Sequence, residues 1–449
     1  VNVLKKNVVL KILVALKIKK ILVNVAKHFF ILPTSPINPY KLHTLYSFMK
    51  DLKFEPVNKS SKSTYKSKDL TRISKIESIS PPSIFIGSKL KYPIVNIGIL
   101  SPIEKVEDAG IFDDMKKWAE KDFSIPEVLN LRQNLLNSRF QSKVTDARLN
   151  NKFVEIAKEI AIASKPVDLE IEFKNQVELN KRVDKILTPH GMKANLKNAK
   201  ITSNVKIDRK VDRIINDEIK ATQGINYLYQ SDINEYSLSK ILSVGVTGLS
   251  KNKKIVPTRW SITATDDIIT KELLKKIRNY KWIENHELFL GEFMGNQYLI
   301  LLFPNIWSFE LFELYFPGSS WNPGTELKAS TDSEGFQGRT SYASNCAGGY
   351  YATRLPIIEY LNSIKRQAGV LAIRLETPTY WAALGVWVVR ESVRKAINNK
   401  AKKFSSKEEL LMSAKKISQI KYDFDIDLIT TKSKLLKIYG TQRNLKSWF

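Results

Sequence analysis

Between Glu287 and Phe316 the chain has little choice of architecture. Two strand-like runs, Glu287–Phe293 and Gln297–Phe303, flank Gly295-Asn296, and a third, Trp307–Phe316, follows within a few residues. A short Gly/Asn link between such runs is a β-hairpin signal. A parallel pair needs a crossover of a dozen residues or more, and these links are much shorter. The sheet is therefore expected to be largely antiparallel. Helical stretches lie on both sides of it, so the expected class is α+β, with helices packed on the sheet, a basic N-terminal segment and a flexible C-terminal tail.

Ile84–Ile86 and Ile94–Leu100 read as short strands bracketed by Gly87, Pro93 and Pro102. Ser124–Ser138 has helical periodicity through Ile125, Val128, Leu131 and Leu135. Asn151–Ala163 is a second expected helix, Val167–Phe173 a half-buried strand, and Asp208–Lys220 a further helix. Thr258–Thr265 alternates, with Trp260, Ile262 and Ala264 opposite Arg259, Ser261 and Thr263, and reads as a strand. Asp266-Asp267 would then open a helix reaching about Tyr280, the acidic pair suiting the positive end of its dipole. Pro317–Gly324 and Asp332–Gly338 read as loops, and Gly348-Gly349 leads into a helix over Tyr350–Lys365. A strand at Val370–Leu375 and helices at Glu391–Lys403 and Lys407–Ile420 complete the pattern.

A net charge of +27 over 449 residues favours a polyanionic partner, nucleic acid or an anionic surface. Lysines interrupt the apolar run Val8–Val23 well before the roughly 20 residues a membrane span needs, so no transmembrane segment is expected. Cys346 is the one cysteine, which rules out an intrachain disulfide and suits a reducing, cytoplasmic setting. It reads as a small buried residue, not a nucleophile. The four histidines are scattered, and no zinc is expected.

The last eight residues, Gln442-Arg443-Asn444-Leu445-Lys446-Ser447-Trp448-Phe449, resemble the PIP box, the peptide by which replication and repair proteins dock onto the sliding clamp PCNA. In a 3₁₀ turn, residues three apart eclipse, so Leu445 and Trp448 would share a face with Phe449 beside them. Gln442 would enter a polar pocket of the clamp. The plainer alternative is an apolar tail folded back onto its own core.

Several phrases in the body resemble the archaeal Nre family of DNA repair proteins. They include Ser80–Gly87, Tyr92–Gly98, Lys206–Val211, Val256–Ala264, Gly348–Leu355 and Gly385–Glu391, in that order. The resemblance implies a basic segment and linker at 1–75, an N-terminal domain at 76–316, a C-terminal domain at 317–403 and a helical tail at 404–449 ending in the clamp motif at 442–449. It also implies a role in DNA damage repair at the nucleoid, with PCNA, DNA and other repair proteins as partners, but no defined reaction. Many members open with a four-cysteine zinc-finger-like element. Residues 1–75 contain no cysteine and so lack it.

Arg259 with Asp266 and Asp267 forms the candidate catalytic cluster. Two adjacent carboxylates at a strand end would hold Mg²⁺ and the arginine a phosphate, as in a divalent-metal nuclease or phosphotransferase. The alternative is that Asp266 caps a helix and Arg259 pairs with a carboxylate. Gly348-Gly349 would offer backbone N–H groups to a phosphate, with Arg354 one turn in and Arg339 from the preceding stretch. Trp282, within Arg278-Asn279-Tyr280-Lys281-Trp282, reads as a stacking surface for unpaired bases or as core. Glu310 and Glu313 stand between aromatics as site carboxylates or as the wet face of a strand.

Overall fold

A computed structural model describes residues 73–87, 92–179 and 187–441. Most of the basic segment, and the motif residues Gln442, Leu445, Trp448 and Phe449, lie outside the described residues. All described residues fall in one compact unit.

The chain opens with β1 (Lys75–Ser80), β2 (Ile84–Gly87) and β3 (Ile94–Pro102), then α1 (Met115–Glu120) and α2 (Ile125–Gln133). There follow β4 (Leu135–Lys143), α3 (Lys152–Ile162), β5 (Val167–Phe173), β6 (Glu178–Leu179) and β7 (Met192–Ile201). Four helices come next: α4 (Arg209–Asn216), α5 (Ala221–Gln230), α6 (Glu235–Ser243) and the 20-residue α7 (Thr258–Ile277). The strands β8 (His286–Phe293), β9 (Asn296–Phe303), β10 (Ser308–Tyr315) and β11 (Lys328–Glu334) lead into α8 (Gly348–Ser363). Then come β12 (Gly369–Glu376), α9 (Val386–Asn398), β13 (Lys402–Phe404), α10 (Lys407–Tyr422), α11 (Asp427–Thr430) and α12 (Lys434–Thr441).

Two sheets result, and the α+β expectation holds. The first has the order β1-β5-β7-β4-β3-β2, with β6 on β7; the second has the order β11-β10-β12-β9-β8-β13. Each contains one parallel pair, β4 with β7 and β10 with β12, and is otherwise antiparallel. The hairpin β8–β9 turns through Met294 (φ 49°) and Gly295 (φ 74°), one residue earlier than the Gly-Asn signal. Two successive positive φ angles suit a two-residue turn that matches the strands' twist.

The run at Trp307–Phe316 does supply a strand, but β12 inserts between it and β9. Every residue of β12 is buried, as expected of a central strand covered on both faces. On one face Ile300, Leu302, Phe309 and Val370 pack with residues of α7, α8 and α9. On the other, Leu299, Leu301, Leu371 and Ile373 meet Leu410, Ala414, Ile429 and Leu435 of α10–α12. The second sheet thus takes strands from both sides of residue 316, and the helices after 404 are part of its core.

Four expectations need correction. Thr258–Thr265 is not a strand but the first two turns of α7, so Asp266 and Asp267 lie mid-helix. The buried face of α7 is lined by small Ser261, Thr263 and Thr265, and the hydroxyls of Ser261 and Thr263 donate to backbone carbonyls one turn back. Tertiary burial outweighs the modest helix propensity of such residues. The helix expected over Ser124–Ser138 stops at Gln133, and Leu135 onward joins β4, whose pairing with β3 runs the length of both strands. Asp332–Gly338 is loop only in part, because β11 extends to Glu334. The helix expected from Glu391 to Lys403 starts at Val386 and ends at Asn398, and Lys402 and Lys403 belong to β13.

Candidate nucleic-acid interface

Adjacent residues on a helix point about 100° apart, so Asp266 and Asp267 face different neighbours. Asp266 is fully buried, and Nη2 of Arg390 on α9 donates to both its oxygens, at 2.8 and 2.6 Å. Burial pushes this carboxyl up to about 6, against the pull of the Arg390 cation. Arg390 also lies 3.7 Å from Glu235 of α6. Arg394 donates to Glu235 at 2.7 Å, to Glu391 at 2.8 Å and to Glu359 of α8 at 3.2 Å. Burial drives the Glu235 carboxyl upward, but Arg394 and Arg390 outweigh it and hold it below its ordinary range. This network fastens α6, α7, α8 and α9 to one another. It borders a cavity of about 70 Å³ lined by Arg132, Glu235, Lys240, Thr258 and Arg390 among others, room for a few waters.

Asp267 accepts from Nη2 of Arg354 at 2.6 Å and lies 2.6 Å from the Lys271 ammonium. The other arm of Arg354 donates to buried Glu334 at 2.5 Å, and Glu334 also accepts from the Trp307 indole at 3.1 Å. The Arg354 guanidinium lies 5.2 Å from the Tyr350 ring centre and 5.4 Å from that of Tyr351. Arg339 covers Tyr350 at 5.4 Å and pairs with Asp332 at 3.2 Å. Tyr342 stacks on Tyr351, centres 5.4 Å apart and planes 26° from parallel. Burial raises the Tyr342 hydroxyl, and the nearby Arg259 charge opposes the rise. Tyrosines and arginines therefore run together from Tyr342 through Tyr351, Arg354 and Tyr350 to Arg339. At the other end of α7, Arg278 sits over Phe336, 5.5 Å from its ring centre.

The structure thus brings Asp267, Arg339 and Arg354 into one cluster, assigns Asp266 to another and places Arg259 in the first turn of α7, about two turns before the acidic pair. Among the described residues, no group of three or more His, Cys, Asp or Glu side chains could hold a metal ion. A metal at the acidic pair would have to displace Arg390 and Arg354. Gly348 and Gly349 are buried at the start of α8, and a Cβ on Gly349 would stand 2.3 Å from Glu313 Oε1. Gly349 permits a close approach of α8 to β10, and a phosphate there would meet that carboxylate. Glu313 is itself paired with Arg374 at 2.6 Å, so it is not a wet-face residue. Glu310, also buried, accepts from the Lys434 and Leu435 N–H groups at 3.0 and 3.1 Å and so caps α12. Trp282 is 51% exposed, which removes its reading as core.

Sequence reasoning missed Trp260, Tyr342 and Arg390. The strand assignment grouped Trp260 with Ile262 and Ala264 on one face, whereas on the helix it is 49% exposed. Its indole packs against Tyr92, centres 6.2 Å apart, and Tyr92 is 57% exposed. No local pattern announces Arg390, because its partners come from α6 and α7.

The family model for the N-terminal part of archaeal Nre proteins matches residues 51–322, and that for the C-terminal part matches residues 334–448. The chain belongs to the archaeal Nre family. Among its Nre relatives, the DNA repair protein NreA of Haloferax volcanii is 38% identical over 321 residues, 70% of this chain and 76% of the relative. The DNA repair protein NreA of Archaeoglobus fulgidus is 38% identical over 77% of this chain and 86% of its own length. NreB of the same organism, also a DNA repair protein, is 34% identical over 82% and 90%. No solved structure matches this Nre chain. No helix among the described residues is long and apolar enough to cross a membrane.

Proposed function

We propose that this Nre chain is a DNA repair factor, working at the nucleoid in the cytoplasm, that docks on PCNA through Gln442, Leu445, Trp448 and Phe449 and contacts DNA through basic surfaces. The repair role rests on its Nre relatives. The observation that carries the clamp reading is the spacing of these four residues, in a segment that begins directly after α12. The Glu310 cap holds the start of α12 against β10. A clamp peptide leaving a helix anchored in this way would raise the local concentration of the body at DNA without adding contacts to it. The net charge of +27 supports phosphate contacts, for which affinity falls steeply with salt through counterion release.

The test is calorimetric titration of PCNA into the full chain and into a version ending at Thr441. Binding to the first and not to the second is expected. Equal binding, or none to either, refutes the clamp role. Fluorescence anisotropy with labelled DNA across a salt series tests the second half, and an affinity indifferent to salt refutes it.

A further inference from the structure

The second sheet ends in an edge that is covered only in part. β13 pairs with β8 from His286 to Leu288 and goes no further, with Lys402 opposite Leu288. Past that point Asn399 Nδ2 donates to the Leu290 carbonyl at 2.7 Å, so the backbone there has a partner. The side chains do not close over in the same way. Leu288 and Leu290 alternate along β8 onto the face that α10 covers. Ile417 and Ile420, three apart on α10, line the same recess, and Ile420 is 74% exposed. The recess is a groove of about 450 Å³, within the range of about 300–1,000 Å³ typical of ligand sites.

The rim of this groove is cationic. Lys400, Lys402 and Lys421 line it, all three exposed, and the lining contains no carboxylate. Their neighbours Lys395, Lys403 and Lys415 pair with Asp122, Glu287 and Asp427. Among the described residues, no carboxylate pairs with Lys400, Lys402 or Lys421. Two exposed carboxylates stand further along the same elements: Glu292 on β8, which accepts from Gln297 at 3.4 Å, and Asp423 after the last turn of α10. Neither lines the groove. Like charges gathered around an apolar floor favour an anionic occupant with apolar side chains. DNA would bring phosphates to the lysines but leave the aliphatic floor unfilled, because no aromatic ring lines the groove for a base to stack upon. A membrane surface takes up apolar side chains that project from a protein, whereas Leu288, Leu290 and Ile417 are buried or half-buried in the recess. The Leu290 carbonyl is already bonded, so the occupant engages through side chains and does not add a strand.

We infer that the groove between β8 and the C-terminal half of α10 docks an acidic segment of a partner protein. The segment seats large apolar side chains against Leu290, Ile417 and Ile420 and sets its carboxylates beside Lys400, Lys402 and Lys421. This adds a protein partner to the clamp and the DNA proposed above and rests on neither.

The experiment selects a display library of random short peptides on the full chain and measures the enriched peptides, fluorescently labelled, by anisotropy. They are expected to combine Asp or Glu with large apolar residues. Ile420→Ser should weaken them about 10-fold or more, the loss of one buried apolar side chain. Lys400→Ala, Lys402→Ala and Lys421→Ala should each weaken them about 1.5- to 5-fold, as for an exposed ion pair, and more salt should weaken them further. Lys121→Ala, an exposed lysine outside the groove lining, should change nothing. All these positions are exposed, so the variants should melt like the parent, and thermal melting establishes this. The inference is overturned if no peptide is enriched, if the enriched peptides lack acidic residues, or if groove variants that melt like the parent bind them equally well. It is also overturned if labelled DNA or phosphatidylglycerol vesicles lose affinity in Ile420→Ser and no peptide does, because the groove is then a nucleic-acid or membrane contact.

Discussion

Replacing Arg390 by methionine tests whether Asp266 is held for architecture or kept for chemistry. The change preserves much of the side-chain length while removing the cation that donates to both oxygens of Asp266. Asp266 is 1% exposed, so it cannot recover this interaction from water. Breaking one partner of a buried ion pair costs about 3–5 kcal/mol. With an unfolding entropy of about 2.1 cal/mol/K per residue, that loss lowers Tm by roughly 5 °C in a body of this size.

The pH dependence has a definite sign. Burial already raises the Asp266 carboxyl to about 6, above its ordinary 3.8. The native state therefore keeps this proton to higher pH than the unfolded chain does. The contribution of this group to stability is fullest below about pH 4 and declines as pH rises towards 6. Without Arg390 the carboxyl rises further, so the decline extends to neutral pH. Arg390→Met should thus be less damaging at pH 5 than at pH 8. Adding Asp266→Asn should recover part of the loss, giving a coupling energy of about 1–3 kcal/mol in a double-mutant cycle. Urea unfolding at the two pH values measures this. A loss below about 1 kcal/mol, equal at both, would refute the buried-pair account and reopen a functional role for Asp266.

His190 is pressed down to about 3 by burial, with the Arg132 charge adding to the effect, and it packs edge-on against Phe85 at 5.0 Å. The unfolded chain takes up this proton near pH 6.5, so stability should fall from there downward by up to about 1.4 kcal/mol per pH unit, and His190→Gln should flatten that slope in urea titrations. Gly349→Ala would drive a Cβ to within 2.3 Å of Glu313 Oε1, beside the Arg374 pair, and should cost about 1–3 kcal/mol by thermal melting. The Cys346 thiol is buried, which pushes its ionisation well above the ordinary range, so native protein should resist iodoacetamide while urea-unfolded protein reacts in full.

What was readable from the sequence was local. The β8–β9 hairpin follows from two apolar runs and a short turn, and Val167–Phe173 declares its buried face by strict alternation. Asn151 ahead of α3 accepts from the Phe153 N–H, a cap that needs no distant partner. The antiparallel bias followed from link lengths alone. The same kind of evidence misled at Thr258–Thr265, where eight residues fitted a period of two as well as a turn of helix. The ambiguity was resolved by helices packed around it, and they turned Trp260 outward and Asp266 inward.

The candidate site divides along the same line. Arg259, Asp267, Arg339 and Arg354 could be named from residue type, yet the role of Arg354 depends on partners 20 and 87 positions away, Glu334 and Asp267. An arginine reads the same in a sequence whether it waits for phosphate or is neutralised by a buried carboxylate. Local patterns and chain composition determined the α+β class, the strong positive charge and the spacing of the C-terminal motif. Only the tertiary structure decided that β12 enters between β9 and β10, that the acidic pair is divided between two arginines, and that Trp260 meets Tyr92 at the start of α7. These outcomes depend on burial and on contacts between segments far apart in the chain, and no local pattern encodes them.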